Sequence, residues 1–435
     1  MRSTASLRRR ILARDARVAV VGQGYVGLSL ACAAAEAGFA VTGIDTDPAR
    51  VAALAAGELC VPGVDEGAFQ RGVATGRLDF ATGGQALAEA DVVCICVPTP
   101  VRDHTPDLSF VEQACRDVAE HLTGGRLVVL ESTTYPGTTN ELVAPLLEAS
   151  GQRVGRDFLL AYSPERIDPG NQEFHFANTP RIVGGTTAEA TSVAALFYEQ
   201  MVEKVVTVSS ARAAELAKLL ENTFRHVNIA LVNEMAMVCH ETGIDVWEVI
   251  AAAATKPFGF MAFTPGPGVG GHCIPLDPAY LAWQVRRDVG HQFRILEQAQ
   301  DVNAQMPGWV ARRIGEALNE HAKALKGARV LVLGVAYKPD VGDVRESPSL
   351  RVMAALARRG AKLSFHDPFV DAIELDGRRL QRTALTPRAV AGADLVALLT
   401  PHSSYDLEWL AGTAALLFDA RNALGPGGGP DLVRL

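Results

Sequence analysis

The chain has 435 residues, 48% hydrophobic and 21% charged, a balance that supports two or three domains with substantial cores and excludes disorder as the organising theme. Its formal net charge of −8 at pH 7 offers no basic field to a phosphate backbone, which argues against nucleic-acid binding, and no run of 18 uncharged apolar residues offers a membrane span. The seven cysteines are odd in number and scattered, and neither they nor the ten histidines fall at metal-ligand spacing, so a reduced, cytoplasmic protein without a metal is expected.

The opening MRSTASLRRRILARDAR is basic, lacks the apolar core of a signal peptide, and reads as a loosely ordered arm ahead of the first strand. From Arg17 a β-branched run, RVAVV, leads into Gly22-x-Gly24-x-x-Gly27, an Ala-rich helical stretch to Gly38, and a second apolar run, FAVTGID, ending at Asp45. Strand, glycine turn, helix, strand and acid in that order make a dinucleotide-binding βαβ unit. The first glycine permits the tight turn, the second lets a pyrophosphate approach the backbone N–H groups that open the helix, and the third lets helix and strand pack closely. Tyr25 and Val26 of the same turn count among the cofactor contacts. Asp45, 18 residues past Gly27, would hydrogen-bond the adenosine ribose and repel a 2′-phosphate, which favours NAD over NADP. Arg50, five residues on, could contact the ribose or a 2′-phosphate.

Three more apolar runs follow, ADVVCICVPTP (90–100), RLVVLESTTYPGTT (126–139) and DFLLAYSPERIDPG (157–170), each ending in small, polar and proline residues. In an open parallel sheet a ligand sits beyond the carboxyl ends of the strands, where Thr99, Ser132, Thr133 and Glu165 fall. For Thr99 and Thr133, helix capping or turn formation accounts for the residue equally well.

Residues 211–242 carry the longest helical pattern, without Pro or Gly. Leu216, Leu219, Leu220, Ile229, Leu231 and Val232 are expected to supply apolar packing, while Lys218, Asn222 and Arg225 recur a turn apart on another face, where plain solvation is the usual fate. A helix this long and apolar between two domains is also a natural homodimer surface. A Gly/Pro-rich loop (256–278) follows, containing GVGGHCIPLDP. Residue 328 begins a second strand, turn and helix, ARVLVLGVAYKPDVGDVRESPS, then KLSFHDP and ADLVALLTPH in βα alternation, without the three glycines. The expected architecture is α/β: two Rossmann-like doubly wound domains (16–205 and 306–435) joined by a long central helix within a region spanning 206–305. No internal sequence repeat is visible.

Taken together, GQGYVGL, VPTP, ESTTYPGTT, YSPERIDPGN, AELAKLLENTFRHVNIALVNE, KPFGF, PGPGVGGHCIPLDP and VAYKPDVGDVRESPS resemble the UDP-glucose/GDP-mannose dehydrogenase family of nucleotide-sugar 6-dehydrogenases, in order and over nearly the whole chain. ESTTYPGTT, SPERIDPGN and KPFGF…PGPG…GGHCIP look most like the UDP-N-acetylglucosamine branch.

The resemblance implies a four-electron, NAD-dependent oxidation of a C6 hydroxymethyl to a carboxylate, with Cys273 as the nucleophile that holds the carbon through the second step. An aldehyde is a poor hydride donor, its thiohemiacetal a good one, and the resulting thioester is readily hydrolysed. Lys218, Asn222 and Asp277 would hold a water or stabilise the C6 oxyanion, Lys218 or an Asp277-bound water would be the first base, and Glu165 would activate water against the thioester. The resemblance also assigns Arg166, Phe263, Gly266, Gly270 and Lys338, with Glu165, Lys218 and Asn222, to the sugar nucleotide. Arg345 joins Thr99 and Thr133 at the cofactor, the loop glycines admit the substrate closely, and the two domains close over both ligands. Where the UDP-glucose branch carries an arginine lent to the neighbouring subunit's sugar, this chain has Lys256-Pro257, which argues against UDP-glucose. UDP-glucose, UDP-N-acetylmannosamine and dTDP-glucose stay open as alternative substrates. A two-electron dehydrogenase of the hydroxyacid type, with Cys273 merely structural, is the rival reading.

Overall fold

The β-branched runs all become strands. The computed structural model describes residues 4–102, 105–168, 171, 173–271, 274, 277–426 and 431–435. The chain divides into two units, the first running to Glu221 and adding Ala279–Gly290, the second comprising Asn222–Pro278 and His291–Leu435.

The first unit holds an eight-stranded sheet: β1 (Arg17–Val21), β2 (Ala40–Ile44), β3 (Leu78–Ala81), β4 (Val92–Ile95), β5 (Leu127–Leu130), β6 (Leu159–Tyr162), β7 (Arg181–Gly185) and β8 (Val205–Thr207). Their spatial order is 8-7-6-5-4-1-2-3, so the strands from β3 to β6 reproduce the 3-2-1-4-5-6 order of dinucleotide-binding folds. Those six are parallel. β7 runs antiparallel to β6, and β8 parallel to β7. The reversal at that edge has no signature in the hydrophobic runs, because strand direction depends on the connection rather than on the strand. Val18, Val20, Val92, Leu127 and Val129 are buried on a sheet covered on both faces, as parallel sheets require.

The opening segment is not a loose arm. Thr4–Ala13 forms helix α1, with Leu7 2% and Ile11 0% exposed. Arg10 pairs with Asp91, and Arg8 donates to Ser192 Oγ at 2.9 Å. Leu7 and Ile11 stand one turn apart, a two-residue apolar stripe that the surrounding arginines obscured in the sequence.

Helix α2 (Tyr25–Glu36) follows the glycine turn, and α3 (Ala211–Thr242) is the long central helix. In α3 the expected packing is only partly realised. Leu219 is fully buried and Val232 nearly so, but Leu216, Leu220 and Leu231 are 45%, 62% and 57% exposed. Phe224, Met235 and Val238 join them on an exposed apolar stripe, because apolar residues circle this helix more widely than one neighbouring layer can cover.

In the second unit β9 (Arg329–Leu333), β10 (Lys362–His366), β11 (Leu395–Leu398), β12 (Leu417–Asp419) and β13 (Leu432–Arg434) form a parallel sheet in the order 10-9-11-12-13. This is the 2-1-3-4-5 order of the other common doubly wound fold, whose ligand crevice lies where the order reverses, between β9 and β11. Helices α4 (Asp277–Val289), α5 (Arg294–Glu320) and α6 (Pro348–Arg358) complete the elements used below. Among the described residues no helix is long and apolar enough to cross a membrane.

Candidate active site

At the end of β1 the three glycines divide the work by geometry. Gly22 has φ +92, and a Cβ there would lie 2.7 Å from the Cys96 carbonyl oxygen; at Gly27 a Cβ would lie 1.9 Å from the carbonyl oxygen of Gly22. Neither position can accept a side chain. At Gly24, by contrast, a Cβ meets nothing within 4 Å, and α2 begins there with no side-chain cap. An open helix N-terminus beside a side-chain-free backbone is a cradle for an anion such as a pyrophosphate. Tyr25 and Val26, both partly buried, form its first turn.

Asp45, 8% exposed at the tip of β2, accepts from the Gln23 amide at 2.8 Å and, on its other oxygen, from the Asp47 amide at 3.0 Å. Arg50 pairs with the same carboxylate, its Nη1 3.0 Å from Asp45 Oδ2. The residues present fit NAD, with a cradle for the pyrophosphate and an anchored carboxylate beside it for the ribose hydroxyls.

The next strand tips are tied together. Ser132 donates to the Val97 carbonyl at 2.7 Å, and the Thr99 carbonyl accepts from Tyr280 Oη at 2.7 Å, while Thr133 is partly buried just past β5. Beneath them lies a charge pair, Glu131 with Arg181, both buried, and Arg181 Nε also donates to Ser163 Oγ at 3.1 Å, two residues before Glu165. Glu165 is 4% exposed. It accepts from the Ile167 amide, lies 3.4 Å from Tyr25 Oη, and faces Lys218 Nζ at 3.6 Å. Arg166 is engaged by Glu221 at 2.9 Å and the Pro180 carbonyl at 2.5 Å.

One residue near this group escaped the sequence reading. Glu215, a turn before Lys218, is fully buried and accepts from the Gly137 amide at 2.5 Å, the Thr139 amide at 2.8 Å and the Thr139 hydroxyl at 2.6 Å. It fastens the loop after β5 to α3. Burial pushes its carboxyl up to about 7. In AELAKL it looks like any solvated helical glutamate, so no sequence signal marks it.

In the second unit Asn222, which follows Lys218 by one turn of α3, donates to Asp277, the first residue of α4, 4% exposed. Cys273 lies outside the described residues. The two glycines before it pack closely on their Cβ side. A Cβ at Gly270 would lie 2.7 Å from Pro348 and 2.8 Å from the Glu346 carbonyl oxygen, and one at Gly271 would lie 2.8 Å from the Tyr337 ring. The Cβ side of both glycines thus faces the segment that leads into α6. Phe263 packs edge-on to Phe224 with ring centres 5.9 Å apart. Lys338 is partly buried after β9, Lys256 stacks on the exposed Phe258 at 5.0 Å, and Arg345 is bound to Asp343 at 2.6 Å with 56% of its side chain exposed.

A second missed residue is Arg421. Its guanidinium lies where a Cβ on Gly266 would meet it at 2.3 Å, it makes no side-chain hydrogen bond among the described residues, and burial pushes it down to about 10. Its position in the near-terminal FDARN, far from every motif quoted above, hid it.

The second sheet repeats the first at its crevice. A Cβ on Gly334, after β9, would lie 2.1 Å from the Thr400 carbonyl oxygen, after β11, and Asp367, at the end of β10, occupies the place that Asp45 has after β2. Asp367 accepts from the amides of Val335 at 2.8 Å and Ala336 at 3.1 Å, and His402 Nε2 covers the same oxygen at 3.0 Å.

Comparison with known proteins accounts for both halves. The UDP-glucose/GDP-mannose dehydrogenase family matches with its NAD binding domain over residues 16–202, its central domain over 212–305 and its UDP binding domain over 331–426. The chain belongs to this family. It is an NAD-dependent nucleotide-sugar dehydrogenase. It is 35% identical over 395 residues to a UDP-N-acetyl-D-mannosamine dehydrogenase of Pyrococcus horikoshii, covering 89% of this chain and 90% of that one. It is 36% identical over 362 residues to a UDP-N-acetyl-D-glucosamine 6-dehydrogenase of Pseudomonas aeruginosa, covering 82% and 84%. The solved structure of a UDP-D-ManNAc dehydrogenase from Pyrococcus horikoshii superposes with a TM-score of 0.87 at 33% identity, over 96% of this chain and 98% of that one.

Proposed function

We propose that this dehydrogenase oxidises the C6 hydroxymethyl of a UDP-2-acetamido-2-deoxyhexose, UDP-N-acetylglucosamine in the first place, to a carboxylate through a thiohemiacetal and a thioester on Cys273. The observation that carries the reading is the presence of two distinct buried polar pairs, Glu165 with Lys218 and Asn222 with Asp277. A single oxidation needs one base. Two oxidations followed by a hydrolysis need a base, an oxyanion partner and a second base for water, and these pairs with a thiol supply that set.

NAD, when bound, accepts a hydride from the substrate carbon at each oxidation. The Lys218 ammonium and the Asn222 amide donate to the C6 oxygen, and Asp277 takes its proton by way of a water. The Cys273 thiolate then adds to the aldehyde carbon and so turns it into a hydride donor. Glu165 removes a proton from the water that attacks the thioester, and Cys273 departs as thiolate. One alcohol, two NAD and one water give one carboxylate, two NADH and three protons. Arg166, Phe263, Gly266, Gly270 and Lys338 contact the sugar nucleotide, and Arg421, whose guanidinium makes no hydrogen bond among the described residues, joins them; Thr99, Thr133 and Arg345 serve the cofactor.

The manno epimer is a second reading, supported by the name of the Pyrococcus horikoshii relative and its TM-score of 0.87. Self-association as a homodimer is supported by the exposed stripe on α3 and by exposed Phe258, Phe260 and Met261. The free, buried cysteines Cys32, Cys94, Cys96 and Cys115 support a reducing, cytoplasmic setting.

The test is to offer UDP-GlcNAc, UDP-ManNAc, UDP-glucose and dTDP-glucose with excess NAD, counting NADH and weighing the product. Two NADH per sugar and a uronate from an acetamido sugar are expected. One NADH per sugar, or turnover confined to sugars without the acetamido group, overturns the proposal.

A further inference from the structure

The reversed strand of the first sheet delivers a buried cation to the ligand edge. β7 runs against β6, with Ala161 opposite Gly185 and Tyr162 opposite Gly184, so it begins at the edge where β6 ends. A parallel β7 would begin at the far edge. The reversal brings Pro180 and Arg181, the entry to β7, to the residues that follow β6, and Glu165 is among them.

Arg181 is engaged on three sides. It pairs with Glu131, the residue directly after β5, its Nε donates to Ser163 Oγ at 3.1 Å, and its guanidinium lies 5.0 and 4.9 Å from the ring centres of Phe176 and Tyr198. Tyr198, which ends the helix Ala188–Tyr198, closes the node by donating its hydroxyl to the other Glu131 oxygen at 2.5 Å. Glu131, Ser163 and Tyr198 are 0% exposed and Arg181 3%.

A buried ion pair is weak evidence for stability, because well-packed apolar side chains of similar volume often serve as well. Its use here lies in what it holds. Arg181 grips Ser163, two residues before Glu165, and the Pro180 carbonyl accepts from Nη1 of Arg166, one residue after it, at 2.5 Å. Glu165 thus stands between two ties to consecutive residues of one strand entry, while its own carboxylate meets the Ile167 amide, Tyr25 Oη at 3.4 Å and Lys218 Nζ at 3.6 Å. A base must lie within hydrogen-bond reach of the proton it takes, and a misplacement of about 1 Å can cost about a hundredfold in rate.

We infer that Arg181, locked by Glu131 and Tyr198, is a positioning residue that places the Glu165 carboxylate past the end of β6 for thioester hydrolysis. The inference rests on the reading of Glu165 as the hydrolytic base.

The test uses two variants of the full-length enzyme. Ser163→Ala removes the tie to the end of β6 and leaves the Glu131–Arg181 pair standing, whereas Arg181→Lys keeps the charge and loses the planar fork that reaches both partners. Each is mixed with excess NAD and whichever of UDP-GlcNAc and UDP-ManNAc the parent oxidises, and NADH is followed from the first turnover into the steady state. The hydride transfers should stay within about threefold of the parent while steady turnover falls at least about tenfold, so that a burst of about two NADH per active site precedes a slow phase. Added to Glu165→Gln, Ser163→Ala should change the residual rate by less than about twofold, because the placement of an absent base no longer matters. Should Arg181→Lys fail to fold, Ser163→Ala decides. A folded variant whose steady turnover stays within about twofold of the parent, a loss shared equally by burst and steady state, or a further loss of about tenfold on top of Glu165→Gln overturns the inference. A crystal structure of Ser163→Ala reads the placement apart from the chemistry: the Glu165 carboxylate should move by about 0.5 Å or more, and an unmoved carboxylate overturns the inference as well. A Glu165→Gln enzyme that turns over steadily at the parent rate refutes the base reading instead, and leaves the crystallographic result standing.

Discussion

Lys218 Nζ lies 3.6 Å from Glu165 Oε2, with only 6% and 5% of the two side chains exposed. Withdrawn from water, the two side chains compensate one another, so loss of one partner is felt by the other. Glu165→Gln keeps the shape and removes the base. The expected result is a burst of about two NADH per active site followed by near silence, as when a covalent intermediate accumulates. Intact mass should show sugar nucleotide on Cys273, absent when Cys273→Ser is added. Steady turnover at the parent rate would falsify the role given to Glu165.

Gly24 and Gly27 separate cofactor binding from folding. Gly27→Ala puts a methyl 1.9 Å from the Gly22 carbonyl oxygen, so the fold should lose about 1–3 kcal/mol or more, and NAD binding with it. Gly24→Ala meets no atom, so stability should change by less than about 1 kcal/mol while the KM for NAD rises roughly tenfold or more. Denaturant midpoints and NAD saturation curves check both. Equal effects of the two variants on stability would contradict the cradle.

Glu215 gives the fold a pH dependence of definite sign. The unfolded chain releases this proton near the ordinary 4.5, the fold only near 7, so between these values the native state holds more protons and stability falls as pH rises. Glu215→Gln does not titrate. Relative to the parent it should gain up to about 3 kcal/mol between pH 4.5 and 7, at about 1.4 kcal/mol per pH unit, and nothing further above that. Urea unfolding at pH 5, 6.5 and 8 measures the difference; a parent-minus-variant gap independent of pH would sink this account.

Leu220 and Leu231, 62% and 57% exposed on one helix, are costly to leave in water. Light scattering at micromolar concentration should give twice the mass of one chain. Leu220→Glu with Leu231→Glu should halve it, and an unchanged parent at single-chain mass would exclude the dimer.

The parts of this molecule that local chemistry dictates were legible in its sequence. Gly22, Gly24, Gly27 and Asp45 declared the cradle by their spacing, with Gly22 and Gly27 at contacts that only glycine meets, and the bounds of α3 are those its Pro- and Gly-free run suggested. What escaped depends on the partner rather than on the residue. Arg50 reads as a spare cation until Asp45 is seen to hold it, Glu215 as a solvated acid until Gly137 and Thr139 close around it, and Leu7 and Ile11 as incidental among arginines until they enter the core. Arg421 depends on a close approach to Gly266, 155 positions earlier in the chain, which no local pattern encodes.

The closing of Asp367 by His402 bears on how two different nucleotides share one chain. Two crevices of the same build would each tempt the ligand meant for the other, and an enzyme that takes up cofactor and sugar nucleotide together would stall in dead-end complexes holding two of a kind. With the first acid partnered by the half-exposed guanidinium of Arg50 and the second by the buried imidazole of His402, the sockets are no longer degenerate. The different partner of each acid is thus expected to help sort the two nucleotides.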